Sequence, residues 1–217
     1  MSLLIAGRSL WLAETNCWVL APEAGGPGVL IDAPPEPDGV IELLAEHRVT
    51  PVALLLTHGH IDHTGGAGAV VGTTGIDAYV HPDDDYLTLD PLGQLRMLFG
   101  IVPPGDYSPP ARRISLSDGQ ILRLAGLDIE VVHTPGHTPG HCCFLIRQEG
   151  VLFSGDHLFA GSIGRTDLPG GDYDTLIDSM QTKVLPLDES TVVYPGHGPT
   201  TTLARERRTN PFLQELT

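Results

Sequence analysis

Short apolar runs separated by turn-forming residues recur along the chain, and runs of four to six residues are typical of buried strands. They predict strands over residues 17–20, 28–32, 52–56, 78–80, 121–124, 127–132, 142–146, 151–154 and 191–194. Apolar residues at helical spacing instead predict helices over residues 38–47, 67–71, 173–181 and 201–208, with Asp172 as the N-cap of the third. Strands followed by helices in each half predict an α/β protein whose two halves bury a common core between two sheets.

The hydrophobic pattern weakens between residues 83 and 113. Three consecutive aspartates at 83–85 favour a helix start or a solvated turn. The proline-rich segment at 103–110 predicts a loop. Such a loop can form the wall of a ligand pocket or serve only as a connection, and both interpretations stay open.

Charge and cysteine content narrow the classes of function. The formal net charge of −15 makes nucleic acids and anionic membranes unfavourable partners. No apolar stretch approaches the roughly 20 residues that span a bilayer, and the N-terminus lacks a signal-peptide pattern. Three cysteines, two of them adjacent, disfavour a disulfide framework and favour a reducing compartment. We therefore expect a cytoplasmic protein; its oligomeric state is left open.

The most informative stretch follows the predicted strand at 52–56. It places His58, His60, Asp62 and His63 within six residues. Imidazole and carboxylate groups are ligands that zinc and similar cations prefer. In an extended segment the first two histidines point the same way, and Gly59 between them leaves space for an ion. His63 is expected to open the next helix, so that Asp62 and His63 face a second position.

Three further polar residues follow predicted strands and lie beside a glycine. They are His137, Asp156 and His197. Seven residues of ligand type at four strand ends favour a site for two metal ions. Among the other histidines, His141 is interpreted as a neighbour of the ligands or a surface residue. His157 is a candidate hydrogen-bond partner of the Asp156 carboxylate.

The motif H-x-H-x-D-H at 58–63, followed by T-P-G-H-T at 134–138, G-D at 155–156 and P-G-H-G at 195–198, resembles the metallo-β-lactamase fold superfamily. Within that superfamily the chain is similar to the glyoxalase II-like (hydroxyacylglutathione hydrolase-like) hydrolases, over about residues 10–213. The resemblance implies a four-layer αββα sandwich. It also implies a single domain over residues 1–217, without the separate C-terminal helical domain of the larger members.

The resemblance also implies a division of the ligands between two divalent cations. One would bind His58, His60 and His137, the other Asp62, His63 and His197, and Asp156 would bridge them. Zinc is the expected metal, with iron or manganese as alternatives. Two such ions about 3.5–4 Å apart lower the pKa of a water held between them to near neutrality and supply a hydroxide nucleophile. Asp62 would act as the catalytic residue by accepting a hydrogen bond from that nucleophile.

A small-molecule thioester suits this chemistry because a thiol leaving group, with a pKa of about 8.5, needs little protonation. Glyoxalase II hydrolyses S-lactoylglutathione, so the resemblance implies a substrate of the S-2-hydroxyacyl-glutathione type, such as S-D-lactoylglutathione or an analogue on another thiol. Arg165, Arg205 and Arg208 are candidate substrate-binding residues. Each has an alternative interpretation, as an ion pair with Asp167 or as part of a solvated helix face.

Four other functions remain as alternatives. A persulfide dioxygenase-like oxygenase of this fold would use one iron, held by His58, His137 and Asp156. A nuclease of this fold is disfavoured by the acidic charge. A non-catalytic, metal-stabilised binding protein is disfavoured by the complete ligand set. A β-lactamase is disfavoured because we see no export signal.

Overall fold

We describe the protein from a computed structural model, over residues 3–214 and residue 216. The first half of the chain forms a six-stranded sheet in the order β1-β2-β3-β4-β5-β6. Its strands are Leu4–Leu10 (β1), Thr15–Ala21 (β2), Pro27–Ile31 (β3), Thr50–Leu55 (β4), Asp77–Val80 (β5) and Arg113–Ser115 (β6). The first three strands pair antiparallel, and β3 to β6 pair parallel.

The second half forms another six-stranded sheet in the order β14-β13-β10-β9-β8-β7. Its strands are Ile121–Leu124 (β7), Leu127–His133 (β8), Cys142–Ile146 (β9), Val151–Gly155 (β10), Val192–Pro195 (β13) and Thr201–Thr202 (β14). A two-stranded sheet joins Leu158–Phe159 (β11) to Ser162–Ile163 (β12). Only β10 and β13 pair parallel in the larger sheet.

Within the described part of the chain, seven α-helices connect or cover these strands. They are Pro37–His47 (α1), Ile61–Thr64 (α2), Ala67–Thr74 (α3), Asp85–Thr88 (α4), Pro91–Phe99 (α5), Tyr173–Ser179 (α6) and Leu203–Thr209 (α7). Single-turn 3₁₀ helices lie at Pro82–Asp84 and Arg147–Glu149, and a π-helix at Met180–Val184 extends α6. Asp172 caps α6 as predicted, by accepting a hydrogen bond from the Thr175 amide. The last helix begins at Leu203 rather than at residue 201, because Thr202 serves as its N-cap.

Three buried layers arise because successive strand residues face opposite sides of a sheet. Leu30 and Leu54 pack against α1 and α3. Their neighbours Ile31 and Leu55 instead pack against the second sheet, which contributes Phe144 to this layer. The outer face of the second sheet packs against α6 and α7. The order helix, sheet, sheet, helix confirms the expected four-layer αββα sandwich. The three cysteines are free and buried within it.

The segment between residues 83 and 113 is more structured than its sequence pattern predicted. It contains α4 and α5, and α5 runs from the cap residue Asp90 to Gly100, whose positive φ of 70° ends the helix. The proline-rich loop at 103–110 contributes Tyr107 and Pro109 to a cavity of about 500 Å³. That cavity lies beside α5, and none of the seven candidate ligands lines it. Within the described residues, no helix is long and apolar enough to cross a bilayer.

Candidate metal centre

The seven candidate ligands meet at one edge of the sandwich. His58 and His60 follow β4, and Asp62 and His63 lie inside α2, which begins at Ile61, two residues before His63. The other three follow the second sheet's strands β8, β10 and β13; they are His137, Asp156 and His197. Each half of the chain therefore supplies part of the site.

The first cluster consists of His58, His60 and His137, which are all buried. Nε2 of His58 lies 3.1 Å from Nδ1 of His60, which lies 2.9 Å from Nε2 of His137, and the two Nε2 atoms are 3.2 Å apart. Tetrahedral zinc with Zn–N bonds of about 2.0–2.1 Å keeps its nitrogens about 3.3 Å apart. The triangle therefore has the dimensions of a zinc-binding face.

Hydrogen bonds on the far side of two rings fix which nitrogen carries the proton. Nδ1 of His137 donates to the Arg165 carbonyl at 2.7 Å, so its Nε2 carries a lone pair. The Thr57 hydroxyl donates to Asp32 at 2.8 Å and therefore accepts from Nδ1 of His58 at 3.0 Å. The two Nε2 lone pairs converge on the same point, an arrangement that favours a cation.

The second cluster consists of Asp62, His63 and His197. Oδ2 of Asp62 lies 3.4 Å from Nε2 of His63 and 3.2 Å from Nε2 of His197, and these two nitrogens are 3.3 Å apart. His63 donates from Nδ1 to Oδ2 of Asp32 at 2.7 Å, which leaves Nε2 for the cluster. The side chain of His197 is 28% exposed, so this cluster opens to solvent more than the first.

Asp156 reaches both clusters with its carboxylate. Its Oδ1 lies 3.3 Å from Nε2 of His63, and its Oδ2 lies 3.6 Å from Nε2 of His137 and 3.5 Å from Nε2 of His197. Oδ1 is buried without a hydrogen-bond partner among the described residues. A buried carboxylate oxygen without a donor fits a metal ligand. The donor set and its spacing therefore suit two divalent cations.

The two clusters differ in proton affinity. Burial and the neighbouring histidines hold the pKa of His58 well below its usual value, and the same causes lower the pKa of His60 to about 3. Burial also opposes the charging of His63 and His197, but the surrounding carboxylates outweigh it. They raise the pKa of His63 well above its usual value and that of His197 to about 10. Burial alone would raise the pKa of Asp62 and Asp156, yet His63 and His197 lower both well below the usual range.

Comparison with known proteins identifies the family. The sequence model described as "Metallo-beta-lactamase superfamily" matches residues 11–197. The chain belongs to the metallo-β-lactamase superfamily.

Relatives within the superfamily cover nearly the whole chain. Hydroxyacylglutathione hydrolase GloC of Haemophilus influenzae is 41% identical over 184 residues, which are 85% of this chain and 86% of that protein. Among solved structures, the BLEG-1 B3 metallo-beta-lactamase superposes with a TM-score of 0.88 at 38% identity, over 97% of this chain and 99% of that one. The di-iron-bound form of TTHA1623 gives 0.84 at 39% identity, over 96% and 100%.

Three residues that were not predicted from the sequence support the second cluster of this metallo-β-lactamase-superfamily protein. Asp32 is buried with a left-handed φ of 60°, and it accepts hydrogen bonds from Thr57 as well as from His63. Thr15 donates its hydroxyl to Oδ2 of Asp62 at 2.9 Å. Asn16 donates its side-chain amide to the carbonyls of Pro195 and Gly198, on either side of His197. Of these three residues, only Asp32 could have been recognised from the sequence, because it comes at the end of a buried strand as Asp156 does.

Two other histidines lie beside the centre. His141 is buried and accepts the Asp156 amide proton at Nε2, 3.1 Å away, while Nδ1 donates to Thr134. The interpretation as a neighbour of the ligands is confirmed for His141, and a surface position is excluded. The interpretation of His157 as a hydrogen-bond partner of Asp156 is wrong. Both of its ring nitrogens are buried without a partner among the described residues.

A cleft of about 290 Å³ opens above the two clusters. Its apolar lining residues are Ala13, Ile61, Leu98, Phe99 and Leu168. Arg165 also lines the cleft, and its guanidinium forms two hydrogen bonds of 2.7 Å with Asp167. Arg205 and Arg208 lie on α7 and are not among the lining residues. The structure therefore brings one of the three candidate substrate-binding arginines to the site.

Proposed function

We propose that this protein is a binuclear metal-dependent hydrolase that cleaves a thioester of the S-2-hydroxyacyl-glutathione type. The observation that carries the proposal is the completeness of both ligand clusters beside a carboxylate that reaches both. The similarity to hydroxyacylglutathione hydrolase GloC supports the choice of thioester. A mononuclear oxygenase would need only His58, His137 and Asp156, and would leave the second cluster without a role.

Two divalent cations in these clusters would supply an ionised water and a Lewis acid for a carbonyl oxygen. The first cation would be held by His58, His60 and His137. The second would be held by Asp62, His63 and His197, with Asp156 shared. Zinc fits this donor set, and the di-iron form of TTHA1623 makes iron the alternative to test.

The chain's own residues would orient the nucleophile through Asp62. Thr15 donates to Oδ2 of Asp62 and so holds the carboxylate in place where it lines the cleft. A carboxylate fixed in this way can ligate a cation through one oxygen and accept a hydrogen bond from the nucleophile with the other. Asp62 is therefore the proposed catalytic residue.

The lining of the cleft suits a substrate whose leaving group departs without being protonated. Among the described residues that line it, the titratable side chains other than Arg165 all belong to the proposed ligands. No separate side chain is placed to protonate a departing amine. A thiolate leaves without such help, which supports a thioester over an amide. Three free thiols support a reducing compartment such as the cytoplasm.

The test is hydrolysis of S-D-lactoylglutathione by the purified protein, before and after chelation and after zinc is restored. We expect turnover that the chelator abolishes and zinc recovers. Absence of turnover in protein shown to carry two zinc ions would contradict the proposal. Oxygen uptake with glutathione persulfide by the iron-loaded protein would then favour the oxygenase.

Substrate binding by the arginines needs a separate measurement. Arg165→Gln is expected to raise KM several-fold with little change in kcat, because Arg165 lines the cleft without belonging to a cluster. Arg205→Gln and Arg208→Gln test the prediction made from the sequence for those residues. An increase in KM for either variant would place the C-terminal helix in substrate binding.

A further inference from the structure

Asp84 is a buried carboxylate in a run of three aspartates. It ends the single-turn helix Pro82–Asp84, just before α4, and is 0% exposed. Its neighbours differ, because the side chains of Asp83 and Asp85 are 59% and 44% exposed. The sequence favoured a helix start or a solvated turn for the whole run, and for Asp84 the solvated turn is wrong.

The carboxylate of Asp84 connects the two loops that carry the first cluster. Its Oδ2 accepts the Gly59 amide proton at 2.7 Å and the Thr138 hydroxyl proton at 2.7 Å. Its Oδ1 accepts the Gly140 amide proton at 2.6 Å. Gly59 separates His58 from His60, and Thr138 follows His137. One side chain therefore joins, across the two halves of the protein, the segments that supply all three nitrogens.

Close packing around Asp84 gives a second, independent observation. A Cβ added at Gly59 would lie 2.8 Å from the Asp84 carbonyl oxygen and 2.7 Å from Cβ of Leu87. A Cβ added at Gly140 would lie 2.7 Å from Cγ of Asp84. The expectation that Gly59 leaves space for an ion is therefore wrong, since the space beside it belongs to Asp84 and Leu87. Both glycines permit the approach of this carboxylate.

The Asp84 carboxylate is held by hydrogen bonds rather than by an ion pair. Asp84 takes part in none of the ion pairs formed by the described residues, although its carboxylate is fully buried. Burial raises its pKa, and the three hydrogen bonds oppose that change. These neutral donors therefore stabilise the ionised carboxylate against the cost of its burial.

We propose that Asp84 is a positioning residue that sets the affinity of the first cluster for its metal ion. It does so by holding the loop of His58 and His60 at a fixed spacing from the loop of His137. The inference rests on the ligand sets of the proposed function and is independent of thioester hydrolysis.

The experiment measures zinc affinity by competition with a chromophoric chelator in two backgrounds. His197→Ala disables the second cluster and leaves the first to be measured, whereas His60→Ala does the reverse. Asp84→Asn replaces one oxygen with an amide NH₂ that cannot accept a hydrogen bond. We expect it to weaken zinc binding about 10- to 100-fold in the His197→Ala background and to leave the His60→Ala background unchanged. Asp83→Asn, one residue away and exposed, is the matched control and should change neither affinity.

Thr138→Val provides a milder variant in the same backgrounds, because it removes one of the three hydrogen bonds to Asp84. It should weaken the first cluster about 3- to 10-fold while circular dichroism shows an unchanged fold. Equal losses in both backgrounds would identify a general structural role and overturn the proposal. Unchanged zinc affinity of the first cluster in folded Asp84→Asn would also overturn it. If Asp84→Asn does not fold, Thr138→Val decides by the same criteria. Zinc affinity is measured without turnover, so a protein that hydrolyses no thioester can still pass or fail this test.

Discussion

The two metal-binding clusters use the same side chain in opposite protonation states. In the first, burial and neighbouring imidazoles keep His58 and His60 neutral. In the second, Asp62 and Asp156 surround His63 and His197 and favour the imidazolium form. The neighbours of a ligand, rather than the ligand itself, therefore decide whether a site offers lone pairs or holds protons.

Because of this difference, the two clusters differ in whether they must release protons before they can bind a cation. In the first cluster His58 and His60 are already neutral and have no proton to release. The second must lose protons before its histidines can ligate, because a metal and a proton compete for the same Nε2 atom. We therefore expect the metal affinity of the first cluster to change little with pH, and that of the second cluster to depend on pH.

The greatest loss of activity is expected from a change at Asp62, the carboxylate of the second cluster. Asp62→Asn should lower kcat/KM for S-D-lactoylglutathione about 10²- to 10⁴-fold, because an amide ligates a cation poorly and misorients the nucleophile. Circular dichroism should show an unchanged fold, since asparagine is nearly isosteric with aspartate and the Asp62 side chain is 17% exposed. Near-full activity in this variant would remove Asp62 from the proposed chemistry.

The pH dependence of zinc binding should separate the clusters next. The pKa of His60 is about 3, so affinity of the first cluster, measured in the His197→Ala background, should change little between pH 6 and pH 9. The pKa of His197 is about 10, so its imidazole carries a proton throughout this range, and the pKa of His63 is raised well above its usual value. Affinity of the second cluster, measured in the His60→Ala background, should rise with pH by up to about 100-fold per unit, for two protons released. Parallel pH profiles would refute the assigned difference.

Asp32 should affect zinc binding by the second cluster more than by the first. It accepts a hydrogen bond directly from Nδ1 of His63, whereas it contacts His58 only through Thr57. Asp32→Asn should weaken zinc binding at the second cluster about 10- to 100-fold and at the first cluster less. Asparagine tolerates the left-handed backbone of Asp32, so the substitution adds little strain. Asp38→Asn, on the exposed side of α1, is the control. The opposite ranking of losses would contradict this assignment.

The smallest effect is expected from a substitution at Asn16, which holds the loop of His197, and it concerns the stability of the protein. Asn16→Ala removes two side-chain hydrogen bonds, of 3.1 Å to the Pro195 carbonyl and 2.9 Å to the Gly198 carbonyl. Urea unfolding of the metal-free protein should show a loss of about 1–3 kcal/mol in the free energy of unfolding. Gln148→Ala, which removes an exposed amide, should leave it unchanged within about 0.5 kcal/mol. Equal stability of the two variants would show that Asn16 does not hold this loop.

The parts that could be predicted from sequence are those with a local signature. The ligands of the first half lie within six residues, and the later ones follow apolar strands beside glycines, so spacing alone singled them out. The two sheets followed from the recurring apolar runs. The short helix α5 escaped notice, although Asp90, Pro91 and Gly100 mark its ends.

The parts that escaped prediction depend on contacts between distant residues. Asp84 stands in a run of three aspartates, and only its contacts with Gly59 and Gly140 distinguish it from its exposed neighbours. Asn16 and Thr15 look like ordinary polar residues at a strand start, and their role depends on residues 195–198 and Asp62. No spacing rule joins positions so far apart, because the fold alone brings them together.

The division of the ligands between the halves has a consequence for folding. The segment 58–63 carries four of the seven ligands without any tertiary structure, whereas His137, Asp156 and His197 join them only after the sheets have docked. An unfolded chain can therefore capture zinc through this one segment. Because stabilisation by a ligand depends on its preference for the native over the unfolded state, such capture reduces the gain. Zinc present during refolding would stabilise the finished protein less than its native affinity implies.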